Sequence, residues 1–257
     1  MELLRAKQLN YDLIKTYVRL PDPMQRQIIE AAHEMGIPAS SHEIYPAAKF
    51  NMDATEHTSG TSRRGYSPKQ TNLRRMYGDV IDILAASGMF ITPTIGLQGP
   101  FFDFVAEHND ILEHGPYVKF YSTYYRDHLK TLVTARPSTW HHSRNLMEIV
   151  YKISQAGGKI TAGTDVPFVP FGLSLHVELQ LYEQAGLSPF QVLRTATTNA
   201  AESLGVENDL GSIQPDKLAD FVVIDGDPLA QVKDAMNVVM TVKDGIVYRI
   251  EDLLEAP

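Results

Sequence analysis

Apolar positions along this chain fall into short blocks whose period switches back and forth. Tyr11-Asp-Leu-Ile-Lys-Thr-Tyr-Val-Arg19 is β-branched and aromatic, which predicts a strand. Pro21 and Pro23 then open a predicted helix from Met24 to Met35, with Ile28, Ile29 and Ala32 on one face and Gly36 as its stop. Ile37–Glu43 is a second strand-like segment with polar residues at its carboxyl end. A short helix around Tyr45–Phe50 leads to a third segment, Asp53–Thr58. A helix through Asn72–Ser87, closed by Gly88, precedes a strand over Met89–Gly96, where Thr92 and Pro93 predict early release from the ladder. Leu146, Ile149, Val150 and Ile153 recur at helical spacing within His141–Gln155, and Gly157-Gly158 passes the chain into Lys159-Ile-Thr-Ala-Gly-Thr-Asp-Val-Pro167. The alternation predicts parallel βα units and an α/β fold.

Two stretches leave this rhythm. Residues 97–140 mix charge with aromatic residues such as Phe101, Phe104, Tyr121 and Tyr125, which predicts a helical insertion, either a lid over a site or a packing excursion. After helices over 172–179 and 187–205, the chain turns to β structure. Gly211–Asp225 reads as a turn and an apolar strand, and Val238–Arg249 holds two runs joined by Asp244-Gly245, a hairpin turn. Residues 1–205 are therefore expected to form a barrel portion with an insertion at 97–140, and residues 206–257 a small β-sandwich portion.

Composition narrows the class. With 44% hydrophobic and 21% charged residues, the chain of 257 residues has the content of a globular protein. A net charge of −8 without a basic run speaks against nucleic acid or an anionic membrane as partner. The absence of cysteine rules out disulfides and thiolate metal sites. No apolar run reaches the roughly 20 residues that span a bilayer, and no secretory leader opens the chain, so a soluble, cytoplasmic protein is the expectation.

Ionisable residues gather at the carboxyl ends of the strand-like segments. Asp165 ends one and is stopped by Pro167, His42 and His57 end two successive ones, and Lys15 lies within the first. In a parallel barrel such ends converge on one face. Each has an ordinary alternative. An aspartate caps helices or joins salt bridges, a single histidine is a satisfied core or surface residue, and Lys15 either snorkels from an edge strand or is buried with its charge removed or matched. Two histidines at successive strand ends point to metal, because neutral imidazole is the commonest protein metal ligand. Arg63 and Arg64, on the polar loop 59–70, suit a substrate carboxylate or phosphate, or are simply solvated. Tyr17 and His176 are further candidates for substrate contact, with a helix-surface reading open for His176. His141 and His142 are adjacent, face different ways on a helix and read as structural.

In order, Lys15, His42, His57 and Asp165 resemble the amidohydrolase superfamily. Ile14-Lys15 resembles the fourth-strand lysine that binuclear members carboxylate, Ser41-His42 and Glu56-His57 the fifth- and sixth-strand histidines, and Gly163-Thr164-Asp165 the eighth-strand aspartate. Leu173–His176, Thr195–Ala200, Gly211–Asp220 and Val242–Gly245 are similar to the carboxyl-terminal signature of the imidazolonepropionase and Xaa-Pro dipeptidase-like branch. The resemblance implies a (β/α) barrel flanked by a small β-sandwich, and hydrolysis of a carbon–nitrogen bond in a small molecule. It also implies one or two divalent ions, zinc foremost, bound by Lys15 (carboxylated), His42, His57 and Asp165, with Asp165 as proton carrier.

One departure bears on all of this. The family's first strand carries His-x-His, and this sequence has none. With Lys15 on the fourth strand, only strands four to eight are present, and five strands cannot close an eight-stranded barrel. The expectation is a partial barrel, from a truncated or incomplete sequence or one completed by another copy or another chain. The alternative function is a non-catalytic half-barrel that serves as an interaction subunit or is a fragment of a longer enzyme.

Overall fold

The computed structural model describes residues 2–17, 20–45, 47–59, 68–113, 116–135, 138 and 140–255. Short strands and intervening helices follow the chain in order. Helix α1 (Glu2–Gln8) precedes β1 (Ile14–Thr16), α2 (Asp22–Glu34) links it to β2 (Ala39–Ser41), and β3 (Ala54–Glu56) follows. Helix α3 (Gly78–Ser87) leads to β4 (Phe90–Thr92). Helices α4 (Pro100–Glu107), α5 (Thr123–Ala135) and α6 (Trp140–Gln155) separate β4 from β5 (Lys159–Ile160). These strands form one parallel five-stranded sheet in the order β1-β2-β3-β4-β5, the arrangement of sequential βα units expected for a barrel portion. Helices α7 (Leu173–Gln184), α8 (Pro189–Thr195) and α9 (Thr198–Ser203) come next. Strands β6 (Phe221–Ile224), β7 (Val238–Lys243) and β8 (Ile246–Arg249) form a separate antiparallel three-stranded sheet, and α10 (Ile250–Glu255) ends the chain.

Register explains which residues are available at the sheet's carboxyl edge. Thr16, Ser41, Thr55, Ile91 and Ile160 lie in one row of paired positions, all almost fully buried. Gln25 of α2 donates to Thr16 Oγ1 and Ser41 Oγ at 3.0 and 2.9 Å, so this row faces the helices. The neighbouring row, Lys15, Ser40, Ala54, Phe90 and Lys159, faces the other side. Tyr17 and His42, two positions beyond Lys15 and Ser40, share that side.

The helical stripe read from spacing is the core: Leu146, Val150 and Ile153 are fully buried and pack with Ile29, Ala32, Ile91, Val177 and Leu181. Three elements differ from expectation. The first strand shrinks to Ile14–Thr16 and the helix around Tyr45–Phe50 is a 3-10 turn, Ala47–Phe50. The helix expected from Asn72 begins at Gly78, because Thr71 Oγ1 accepts from the Leu73 and Arg75 amides and Arg74 takes φ +58°, which makes a turn there instead. Asp244-Gly245 forms the predicted two-residue hairpin, both residues at positive φ. Among the described residues no helix is long and apolar enough to cross a membrane.

Candidate metal centre

Three successive strand ends adopt the left-handed backbone region at residues other than glycine: His57 after β3 (φ +61°), Thr94 after β4 (φ +47°) and Asp165 after β5 (φ +59°). Such conformations cost of order 1–3 kcal/mol each and persist only where the surroundings fix them. At His57 the turn ends the strict alternation of the strand, and the imidazole stacks on His42 with ring centroids 4.8 Å apart. Tyr17 packs against His42 in an edge-to-face contact, ring centroids 4.9 Å apart. Asp165 Oδ2 approaches His57 Nε2 at 3.6 Å.

Electrostatics keeps both imidazoles neutral. Burial lowers the His42 pKa to about 4, helped by Lys15, by the adjacent His57 ring, which disfavours a second proton, and by Lys69, and opposed by Asp165. Burial likewise brings His57 to about 4, with Lys69 and Lys15 adding to the effect. Neutral imidazole is the form that ligates metal. Thr94 Oγ1 donates to the Pro93 carbonyl at 2.8 Å, which uses its single proton. It must therefore accept from His57 Nδ1, 2.5 Å away. The lone pair of His57 then lies on Nε2 and faces a carboxylate oxygen.

Two acceptors at 3.6 Å have nothing to share unless a proton or a cation lies between them. That gap is shorter than two metal–ligand bonds of about 2.1 Å placed end to end, so one ion can bridge it. His42 Nδ1 adds a second observation: it is buried and has no hydrogen-bond partner among the described residues. The donor set suits a divalent ion of the zinc type but is incomplete, since no group of three His, Asp or Glu in ligating geometry is present among the described residues.

Tyr17, His42, His57 and Asp165 thus come together. Lys15, exposed on edge strand β1, acts on both histidines through its charge. His176 opens α7 and is half-buried, with burial lowering its pKa to about 4, and it belongs to neither the ring stack nor the His57–Asp165 contact. Arg63 and Arg64 lie outside the described residues. In the insertion, Tyr121 donates to the Phe171 carbonyl. Phe120, Tyr121, Tyr125, Pro167 and Phe171 line an apolar cavity of about 610 Å³ a few residues past Asp165.

Three residues escaped the sequence reading. Lys69 is buried, donates to Thr55 Oγ1 at 2.9 Å and to the Glu56 carbonyl at 2.5 Å, and has its pKa lowered to about 7, chiefly by burial. Thr94 orients His57. Glu178, fully buried on α7, accepts from the Ile95 and Gly96 amides at 2.8 and 2.7 Å. An acid set between Val177 and Leu179 on a helix was the available signal for Glu178; nothing in composition marks Lys69 as buried.

The amidohydrolase family model matches residues 17–247. Among solved structures, a Xaa-Pro dipeptidase with bound methionine is similar at a TM-score of 0.66 and 21% identity, over 96% of this chain and 58% of that one. Phenylurea hydrolase B is similar at 0.67 and 17%, over 100% and 58%. A. niger ochratoxinase is similar at 0.61 and 19%, over 96% and 54%. The chain therefore spans little more than half the length of these relatives, and at such identities the likeness speaks for the fold. No curated protein matches the chain. With a family match that runs from Tyr17 to Val247, the chain belongs to the amidohydrolase family.

Proposed function

We propose that this protein is a metal-dependent hydrolase that cleaves a carbon–nitrogen bond in a small amide, cyclic amide or dipeptide-like molecule. The observation that carries the reading is the pair of unshared electron pairs, His57 Nε2 and Asp165 Oδ2, held 3.6 Å apart. His57 and Asp165 would hold a divalent ion, zinc foremost, with His42 and a carboxylated Lys15 as further donors. Such an ion, when bound, lowers the pKa of its water from about 15.7 towards ~7 and polarises the scissile carbonyl. Asp165 takes the proton of the attacking water and returns it to the leaving nitrogen. Lys69, whose charge acts on both histidines, adds positive potential beside the site, which suits a substrate carboxylate or a developing oxyanion. The aromatic cavity beyond Asp165 would take an apolar flank of the substrate, Tyr17 a polar one, and Arg63, Arg64 and His176 are candidates for further contacts. Residues 1–205 would act as the barrel portion and 206–257 as the flanking β portion.

The test is metal content of the folded protein after reconstitution with zinc and gel filtration. The expected result is about one ion per chain, with binding at least tenfold weaker in His57→Ala and Asp165→Asn. A folded wild-type protein that retains no metal would overturn the reading.

A second reading is favoured by the open sheet. Strands β1 and β5 are its edges. A groove of about 680 Å³, lined by Leu3, Leu9, Leu13, Ile14, Met24 and Ile28 among others, runs along β1. Under this reading the half-barrel is an interaction subunit whose edges pair with another copy or another segment. Its signature is a stable oligomer in solution without bound metal.

A further inference from the structure

Glu178 is not explained by the chemistry above. Burying a carboxylate is unfavourable unless its oxygens are matched by donors. Both oxygens are matched, one by the Ile95 amide and the other by the Gly96 amide. The clamp is close. A Cβ at Gly96 would lie 3.0 Å from Glu178 Oε2, so the absence of a side chain there lets the carboxylate approach. These two amides follow directly on Thr94, the residue with left-handed backbone whose hydroxyl meets His57 Nδ1 at 2.5 Å. Pro93 contributes from the other side, because its carbonyl accepts the Thr94 hydroxyl proton and also the Thr58 amide at 3.1 Å. The loop 93–96 is thus held at both ends, by Thr58 beside His57 and by Glu178 on α7.

We propose that Glu178 is a positioning residue for His57: by fixing the Ile95 and Gly96 amides it holds the Thr94 hydroxyl as an acceptor for Nδ1–H, and so keeps the His57 lone pair on Nε2, towards Asp165. The role rests on the reading that His57 Nε2 is a ligand atom, but the relay itself is a property of the metal-free protein. A glutamine cannot replace the glutamate, because its NH₂ group would confront one of the two amides and break one arm of the clamp. An aspartate keeps the charge and both acceptors but falls one methylene short.

The relay is read by long-range ¹H–¹⁵N correlation of the imidazole rings in the metal-free protein at pH 8.5, above the value of about 7 to which burial raises the Glu178 carboxyl, which distinguishes an Nδ1–H from an Nε2–H tautomer. In the wild type His57 is expected to be the Nδ1–H tautomer. Thr94→Val should abolish that preference and Thr94→Ser should retain it. Glu178→Gln should shift His57 towards the Nε2–H form while the His42 resonances stay in place, and adding Glu178→Gln to Thr94→Val should change His57 no further. Where Glu178→Gln does not fold, Glu178→Asp decides, with a mixed tautomer expected. A His57 signal unchanged from wild type in the folded Glu178 variant, or an Nε2–H tautomer in the wild type, would refute the proposal. Zinc titration of the same samples separates the two readings. A drop of about 10–100-fold in affinity on Glu178→Gln fits a positioning residue behind a ligand. Tautomer shifts as expected, with no zinc bound by any sample, would leave the relay standing and remove the hydrolase.

Discussion

Lys69 is anchored to the strand that delivers His57: its ammonium donates to Thr55 Oγ1 at 2.9 Å and to the carbonyl of Glu56 at 2.5 Å. Burial lowers its pKa from 10.5 to about 7. Between those values the unfolded chain binds more protons than the folded one, so stability rises as pH rises through this window and the penalty is fully felt below it. Replacing Lys69 by Met should flatten that rise. Urea unfolding at pH 7, 8 and 9 is expected to show wild-type stability climbing by up to about 1.4 kcal/mol per pH unit, and the variant climbing less. Parallel curves for the two proteins would contradict a buried, weakly basic lysine.

A second pH effect has its origin in His176, whose pKa is lowered by burial from 6.5 to about 4. A base with a lowered folded pKa gives stability that is complete above 6.5 and is lost as pH falls towards 4. His176→Gln should therefore unfold less steeply with acid than the wild type between those limits. The measurement is the denaturation midpoint at pH 7, 6, 5 and 4.5, and an unaltered acid slope would show that His176 is hydrated.

Gly163 has a more local reason to be glycine. A Cβ there would lie 2.4 Å from Thr92 Cγ2, at the junction of β4 and the loop that carries Asp165. Gly163→Ala should cost roughly 1–3 kcal/mol through overpacking. Thr92→Ser removes the colliding methyl and keeps the hydroxyl that meets Thr161 Oγ1 at 2.9 Å. The double variant should regain most of the lost thermal stability; failure of that rescue would place the strain elsewhere.

Asp220 immediately precedes β6 of the small antiparallel sheet. It accepts from Lys243 Nζ and from the Asp244 amide, both at 2.7 Å, and so braces the β7–β8 hairpin. Asp220→Ala should lower the melting temperature by a few degrees and leave zinc affinity untouched. A change in zinc affinity would mean that this sheet is coupled to the histidines.

These cases show which parts of the molecule could be read beforehand. Helix α6 and the order of the βα units were legible because Leu146, Ile149, Val150 and Ile153 repeat with a helical period, and period is a property of neighbours in sequence. The tail motif was legible as a pattern, and Asp220 with Lys243 gives it a structural cause. His42, His57 and Asp165 were legible as strand ends. Their mutual geometry was not, because it depends on left-handed backbone at His57 and Asp165, where the alternation that sequence reading relies on stops. Lys69 and Glu178 were hidden for a further reason: charge predicts exposure, and only distant partners, Thr55 and Glu56 for one and Ile95 and Gly96 for the other, make burial tolerable.

The sequential order of the parallel strands has a consequence for biosynthesis. As the chain leaves the ribosome, every new strand meets an edge its predecessor has just made, so the sheet can grow by accretion. His42 and His57 are in place early, directly after β2 and β3. Their carboxylate arrives only after the long 97–155 excursion has folded and β5 has docked on β4. A nascent chain halted before that point would own the growing edge and both imidazoles yet present no His57–Asp165 pair, so under the metal reading proposed above an ion would be captured only once β5 is home.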